Sequence, residues 1–88
     1  MEPTDVPRLR VDARMRRYQG TLLVAGPECT LELSESAAVI VRGIDGTRTV
    51  LEISSMLAEK YGVSLEHANS DTVELLDELV DAEIVERA

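Results

Sequence analysis

The side chains of this 88-residue chain that could do chemistry are mostly carboxylates, and they crowd into one stretch. Glu66, Asp71, Glu74, Asp77, Glu78 and Asp81 bring six acids to the last third of the chain, with no Lys or Arg among them. Carboxylates act as general acids or bases where burial or a like charge forces them to share a proton. Where they stay solvated, they form an anionic face for a cationic partner. Nothing in this spacing enforces a proton-sharing pair. Cys29 and His67 are the only Cys and His, which leaves no usual metal set and no His-based triad. His67 reads as a helix-surface residue and Cys29 as a small apolar strand residue. No glycine-rich phosphate loop is present. The chemistry on offer is binding, and neither an enzymatic activity nor a cofactor or metal is expected.

The charge is unevenly spread. The net charge is -8, yet Arg8, Arg10, Arg14, Arg16 and Arg17 make the first 24 residues cationic, while the remainder carries fourteen acids against Arg42, Arg48, Lys60 and Arg87. Such segregation suits an acidic partner-binding face in one part and a docking surface in the other, with Arg8 to Arg17 the candidate for the second. With one cysteine there is no internal disulfide framework, and the start lacks the apolar run of a secretory signal, so a cytoplasmic setting is expected. The apolar stretches Leu22 to Ala25 and Ala37 to Val41 are far short of the roughly 20 residues that span a bilayer, and no membrane is expected as a partner.

The elements that must position these residues read as a single α+β domain over residues 1–88, with a core from about 8 to 85. Arg8 to Ala13 alternates polar and apolar, predicting a strand with Leu9, Val11 and Ala13 inward. Thr21 to Ala25 reads as a second strand, ended by Gly26-Pro27. Cys29 to Leu33 reads as a third, with Leu31 and Leu33 on one face. Ser34 is the expected N-cap of a first helix whose buried face is Ala37, Ile40, Val41 and Ile44, ended at Gly43 or at Asp45-Gly46. Thr49-Val50-Leu51-Glu52 is a capping box, a cap worth about 1 kcal/mol. Val50, Ile53, Leu57 and Tyr61 make the buried stripe of that second helix, with Gly62 as its stop. Ser64 caps a third helix that turns Leu65, Ala68, Thr72, Leu76 and Leu79 inward and that Asn69-Ser70 is expected to nick. The core is necessarily aliphatic, since there is no Phe or Trp.

Three segments together carry a family resemblance: Leu33-Ser34-Glu35-Ser36-Ala37-Ala38-Val39-Ile40; Asp45-Gly46-Thr47-Arg48-Thr49-Val50 with Glu52-Ile53; and Asp71-Thr72-Val73-Glu74-Leu75-Leu76. The chain resembles the D protein of pyrroloquinoline quinone synthesis, PqqD, and related recognition elements of ribosomally made, post-translationally modified peptides. Two positions depart from that pattern: Ser34 stands where the family usually has asparagine, and Glu83 where a glycine usually precedes the final apolar pair, here Ile84-Val85. The resemblance implies a winged helix-turn-helix-like fold of three strands followed by three helices. It implies a peptide-binding adaptor that presents the leader of a precursor peptide to a radical S-adenosylmethionine tailoring enzyme, here in pyrroloquinoline quinone synthesis. In such a module the leader adds as an extra strand beside the third strand and lies against the third helix. The implied peptide-binding residues are Cys29, Thr30, Leu31, Glu32, Leu33 and Ser34 along that edge and Asp71 on the helix; Glu74, Leu75 and Glu78 follow Asp71 on an adjoining helical stripe and complete the expected set. The acids favour a peptide with a basic residue beside an apolar anchor. A free edge strand is compatible with a monomer or a weak homodimer.

Two rivals stand beside this reading. A winged helix more often binds DNA, but its reading helix uses Arg, Lys or amide side chains against bases and phosphates. A third helix with six acids and no base repels a duplex, so no nucleic-acid partner is expected. An acyl or peptidyl carrier needs a serine after Asp at a helix start, and Glu35-Ser36-Ala37 and Asn69-Ser70-Asp71 both have the wrong order.

Overall fold

Local signals start and stop each helix. A computed structural model describes residues Met1–Ala88, in the order β1 (Pro7–Leu9), β2 (Arg14–Tyr18), β3 (Thr21–Ala25), β4 (Thr30–Leu33), α1 (Glu35–Arg42), α2 (Val50–Tyr61), α3 (Leu65–Asp81) and β5 (Val85–Arg87). Ser34 caps α1, Thr49 and Glu52 close the capping box of α2, and Ser64 caps α3. Gly62 ends α2 at φ +65°, a left-handed conformation that costs glycine nothing. The fold is α+β, as the sequence predicts, with two small antiparallel sheets, and the winged-helix name describes it loosely. No helix is long and apolar enough to cross a membrane.

The strand layout differs from the expected one in three ways. The predicted strand over residues 8–13 stops at Leu9. The Arg10 N–H goes to the Ile84 carbonyl (2.9 Å) and the Ala13 N–H folds back onto the Arg10 carbonyl (3.0 Å), so the chain turns there. Val11, expected inward, sits on that turn and is 99% exposed. A strand the alternation does not show, β2, follows at once and pairs antiparallel with β3 through a two-residue turn, Gln19 (φ +50°) and Gly20 (φ +82°). This is the primed turn geometry that matches the twist of paired strands. Finally, β5 pairs antiparallel with β1, so the first and last strands close a second sheet. Arg8 seals that pair, its Nε donating to Glu86 at 2.9 Å.

The core is a cluster of fourteen aliphatic residues drawn from β3, β4, the helices, the α1–α2 loop and the end of the chain. α2 packs on α3, and Val50, Ile53 and Leu57 of the one and Ala68, Leu76 and Leu79 of the other are buried in this cluster. Tyr61 and Leu65, expected inward, lie at the α2–α3 connection and are 39% and 44% exposed. The expected nick at Asn69-Ser70 is absent, and α3 is continuous. Asn69 is held there because the buried Ser54 hydroxyl lies 2.8 Å from the Val50 carbonyl and 3.1 Å from the Asn69 side chain, a polar tie between α2 and α3. Gly26 permits another close approach: a Cβ there would stand 2.6 Å from the Ala82 carbonyl oxygen.

Two positions carry measurable consequences. Glu83 adopts φ +59°, which accounts for a glycine being the usual residue there and costs a side-chain-bearing residue about 1 kcal/mol or more. Glu83→Gly is therefore expected to stabilise the fold by about 0.5–1 kcal/mol in denaturant unfolding; a loss of stability would show that the glutamate is not strained. In the α1–α2 loop, Asp45 Oδ1 accepts from the Arg48 N–H (2.8 Å), the Thr47 N–H (2.9 Å) and the Thr47 hydroxyl (2.9 Å). These bonds, the Arg48 amide first, lower its pKa from 3.8 to about 2. With the folded value below the unfolded one, the stabilisation is complete above about pH 4 and is lost as pH falls toward about 2. The gap in Tm between the wild type and Asp45→Asn should therefore close over that interval, and a pH-independent gap would exclude the ionised carboxylate as its source.

Candidate functional site

The three-stranded sheet has two edges, and they are defended differently. Its order is β2-β3-β4, so β2 and β4 each lack a strand on one side. All five residues of β2 are exposed, and Arg14, Arg16 and Arg17 are three of them, a run of cations that discourages pairing with another copy. No such guard stands on β4, whose residues are Thr30, Leu31, Glu32 and Leu33. Leu31 lies opposite Val24, and Leu33 opposite Leu22. The pleat thus turns both leucines toward the helices and leaves Thr30 and Glu32 exposed.

At the end of this edge opens a groove of about 240 Å³ between α1 and α3. Ser34, the residue that joins β4 to α1, lies on its rim, so the strand edge runs directly into it. Ser36, Ala37 and Ile40 line the α1 side; Asp71, Glu74, Leu75 and Glu78 line the α3 side; and Leu57 reaches in from α2. Helical periodicity produces the α3 wall. The buried seam Ala68, Thr72, Leu76, Leu79 fixes the rotation of the helix, and Asp71, Leu75 and Glu78 fall on the stripe beside it.

Of the residues expected from the sequence, Ser34, Asp71, Glu74, Leu75 and Glu78 meet in the groove, and Thr30 to Leu33 form the edge leading to it. Cys29 does not belong to the strand. It is exposed in the turn before β4, and its carbonyl accepts the Gly26 N–H at 2.9 Å. Sequence reasoning missed Ser36, Ala37, Ile40 and Leu57 as groove residues; it placed Ala37, Ile40 and Leu57 on buried stripes, and a groove wall shares that periodicity.

The groove is anionic over an apolar floor. No Lys or Arg lines it. The Asp71 carboxylate has one neighbour, the His67 Nε2 at 3.3 Å. Asp77, one of the six acids, faces away from it and lines a different cavity. The Glu74 and Glu78 carboxylates make neither an ion pair nor a hydrogen bond, unlike those of Asp45 and Glu52, whose oxygens are used within the fold.

Comparison with known proteins identifies the family. The model of coenzyme PQQ synthesis protein D (PqqD) matches residues 22–85. The chain belongs to the PqqD family. A bifunctional coenzyme PQQ synthesis protein C/D of Methylorubrum extorquens is 29% identical over 93 residues, covering 98% of this chain, which spans only 25% of that protein's length. A PqqA binding protein of Xanthomonas euvesicatoria pv. vesicatoria is 31% identical over 75 residues, 83% of this chain and 82% of the relative. The solution structure of the PqqD truncation of Methylobacterium extorquens PqqCD, described as a functional and stand-alone recognition element for ribosomally synthesized and post-translationally modified peptides, superposes with a TM-score of 0.78. It is 28% identical, over 99% of this chain and 100% of the other. The crystal structure of PqqD from Xanthomonas campestris shares the fold at a TM-score of 0.58 and 24% identity, covering 92% of each chain.

The unpartnered carboxylates of this groove lead to a test. The double variant E74K/E78K is expected to weaken any binding of a Lys- or Arg-bearing extended peptide by about tenfold or more at low salt, with the gap narrowing as salt is added. Equal affinity of variant and wild type at low salt, measured by calorimetry, would remove charge from the selectivity of the groove.

Proposed function

We propose that this chain binds the leader segment of a PqqA-type precursor peptide in pyrroloquinoline quinone synthesis and presents it to a radical S-adenosylmethionine tailoring enzyme. The leader adds as a strand along β4, residues Thr30 to Leu33, and continues past Ser34 into the groove. There an apolar side chain rests on Leu75 and Ile40, and a basic one faces Glu74 and Glu78. The observation that carries the reading is the continuity of an unguarded strand edge with a lined groove. Backbone hydrogen bonds along an edge supply affinity for any extended peptide, and the groove side chains supply choice. The names of the relatives, a PqqA binding protein among them, point the same way.

The role is that of a binding module. Free chain operates in a reducing, cytoplasmic setting as a monomer or weak homodimer, and it forms a three-way complex with peptide and enzyme. DNA binding finds no support at α3, where every acid of the helix is exposed.

The deciding experiment is an NMR titration of labelled protein with a PqqA-type peptide. Saturable shifts confined to Thr30 to Ser34, the start of α1, and Asp71 to Glu78 are the expected result. Shifts along Arg14 to Tyr18 instead would place the peptide on the opposite edge and overturn the assignment of the site.

A further inference from the structure

The cations of this chain fall into two sets. Arg8, Arg10, Arg48 and Arg87 each stand no farther than 3.8 Å from a carboxylate oxygen. Thus Arg8 and Arg10, part of the expected docking surface, are occupied within the fold. Arg14, Arg16, Arg17, Arg42 and Lys60 have no acidic partner. Three of these five, Arg17, Arg42 and Lys60, line one cleft of about 290 Å³, and they come to it from three elements: the outer strand β2, the last turn of α1 and the last turn of α2. Leu22 and Val39 supply apolar wall, and Glu35 is the one carboxylate of the lining, with no ion pair to any of the three.

Helix dipoles account for Arg42 and Lys60 taken singly, since a cation at a helix C-terminus is favourable. They do not account for Arg17. Its register opposite Leu22, which in turn lies opposite the buried Leu33, puts it on the helix-facing side of the sheet. Gathering three unpaired like charges in one cleft does not stabilise a fold, and here it occurs in a chain of net charge -8. The cleft is also separate from the groove. On α1, Glu35, Ala38, Val39 and Arg42 line the cleft, whereas Ser36, Ala37 and Ile40 line the groove, so the helix is a partition with a cationic site on one side and an anionic site on the other.

We propose that the Arg17–Arg42–Lys60 cleft docks an acidic segment of a partner protein, with carboxylate side chains entering between the three cations while the groove across α1 stays free. Charge complementarity selects the partner. Paired carboxylates match guanidinium groups in bidentate geometry, and the 17 acids of this chain repel a polyanion as extended as a duplex. The site does not depend on what fills the groove.

The test is an NMR titration of the whole chain with a hexaglutamate peptide at low salt. The expected result is saturable shifts at Arg17, Gly20, Leu22, Val39 and Arg42, with R17E/R42E weakening binding by about tenfold or more. R14E/R16E, which changes the net charge equally, should have little effect. Lys60→Glu alone, at an exposed helix end, should weaken binding in the same direction, and dispersed amide spectra establish that each variant is folded. Equal weakening by the two double variants, or shifts spread over all the arginines, would overturn the proposal, as net charge alone would then be responsible. Inorganic phosphate reproducing the shifts at the same concentration, or tighter binding of duplex DNA than of hexaglutamate, would overturn it equally.

Discussion

The seam of α3 sets the geometry on which the rest of the molecule depends. Ala68, Thr72, Leu76 and Leu79 are fully buried, and a helix pinned along one line has no rotational freedom left. At about 100° per residue, Asp71, Leu75 and Glu78 must then project beside the seam, toward α1. The helix packs closely on α2 and only sparingly on α1, so the space beyond its seam stays open. An aliphatic core contributes to that opening. With no aromatic ring to span the gap between α1 and α3, Leu57, Ile40 and Leu75 reach partway and leave a floor instead of a filled interior. Holding α1 at its distance falls to β4 on one end and, on the other, to the loop organised by the Asp45 carboxylate.

How much of this fold is legible in the sequence depends on whether a segment signals its own ends. α2 does: a capping box opens it and a left-handed glycine closes it, so its limits follow from Thr49, Glu52 and Gly62 alone. The strands do not. β2 reads Arg-Met-Arg-Arg-Tyr with every residue exposed, and an edge strand with cations on both faces has no apolar period to detect. Val11 misleads for the opposite reason, because the alternation of Leu9, Val11 and Ala13 continues through a turn whose hydrogen bonds are made to Ile84 and Arg10, and Ile84 is distant in sequence. Asn69 misleads similarly. Its poor helix propensity is outweighed by the buried Ser54 hydroxyl on a neighbouring helix.

The α3 half of the site is legible, and the α1 half is not. Relative positions along one helix are fixed by helix geometry, so Asp71, Glu74, Leu75 and Glu78 can be grouped without knowing any other element. Ala37, Ile40 and Leu57 line the groove only because two helices stay apart, and separation between elements leaves no mark in the spacing of residues within one. Cys29 shows the limit at its finest: one residue outside β4, its carbonyl is engaged by Gly26 and so serves the turn instead of the free edge.

The acids of α3 and the cations of β2 and the helix ends could have been arranged to neutralise one another, yet Glu74, Glu78, Arg17, Arg42 and Lys60 all remain unpaired. Exposed ion pairs contribute only about 0–1 kcal/mol each, so leaving these groups free costs the fold little stability. Their effect on a partner is larger. A patch of one sign extends its field about 8 Å into solution at physiological salt, and clefts with apolar walls concentrate that field, raising the encounter rate with ligands of opposite charge. With α1 between them, the groove and the cleft present opposite signs from the two sides of one helix. A ligand drawn to either is repelled by the other, and two partners of opposite charge can approach without competing for one surface.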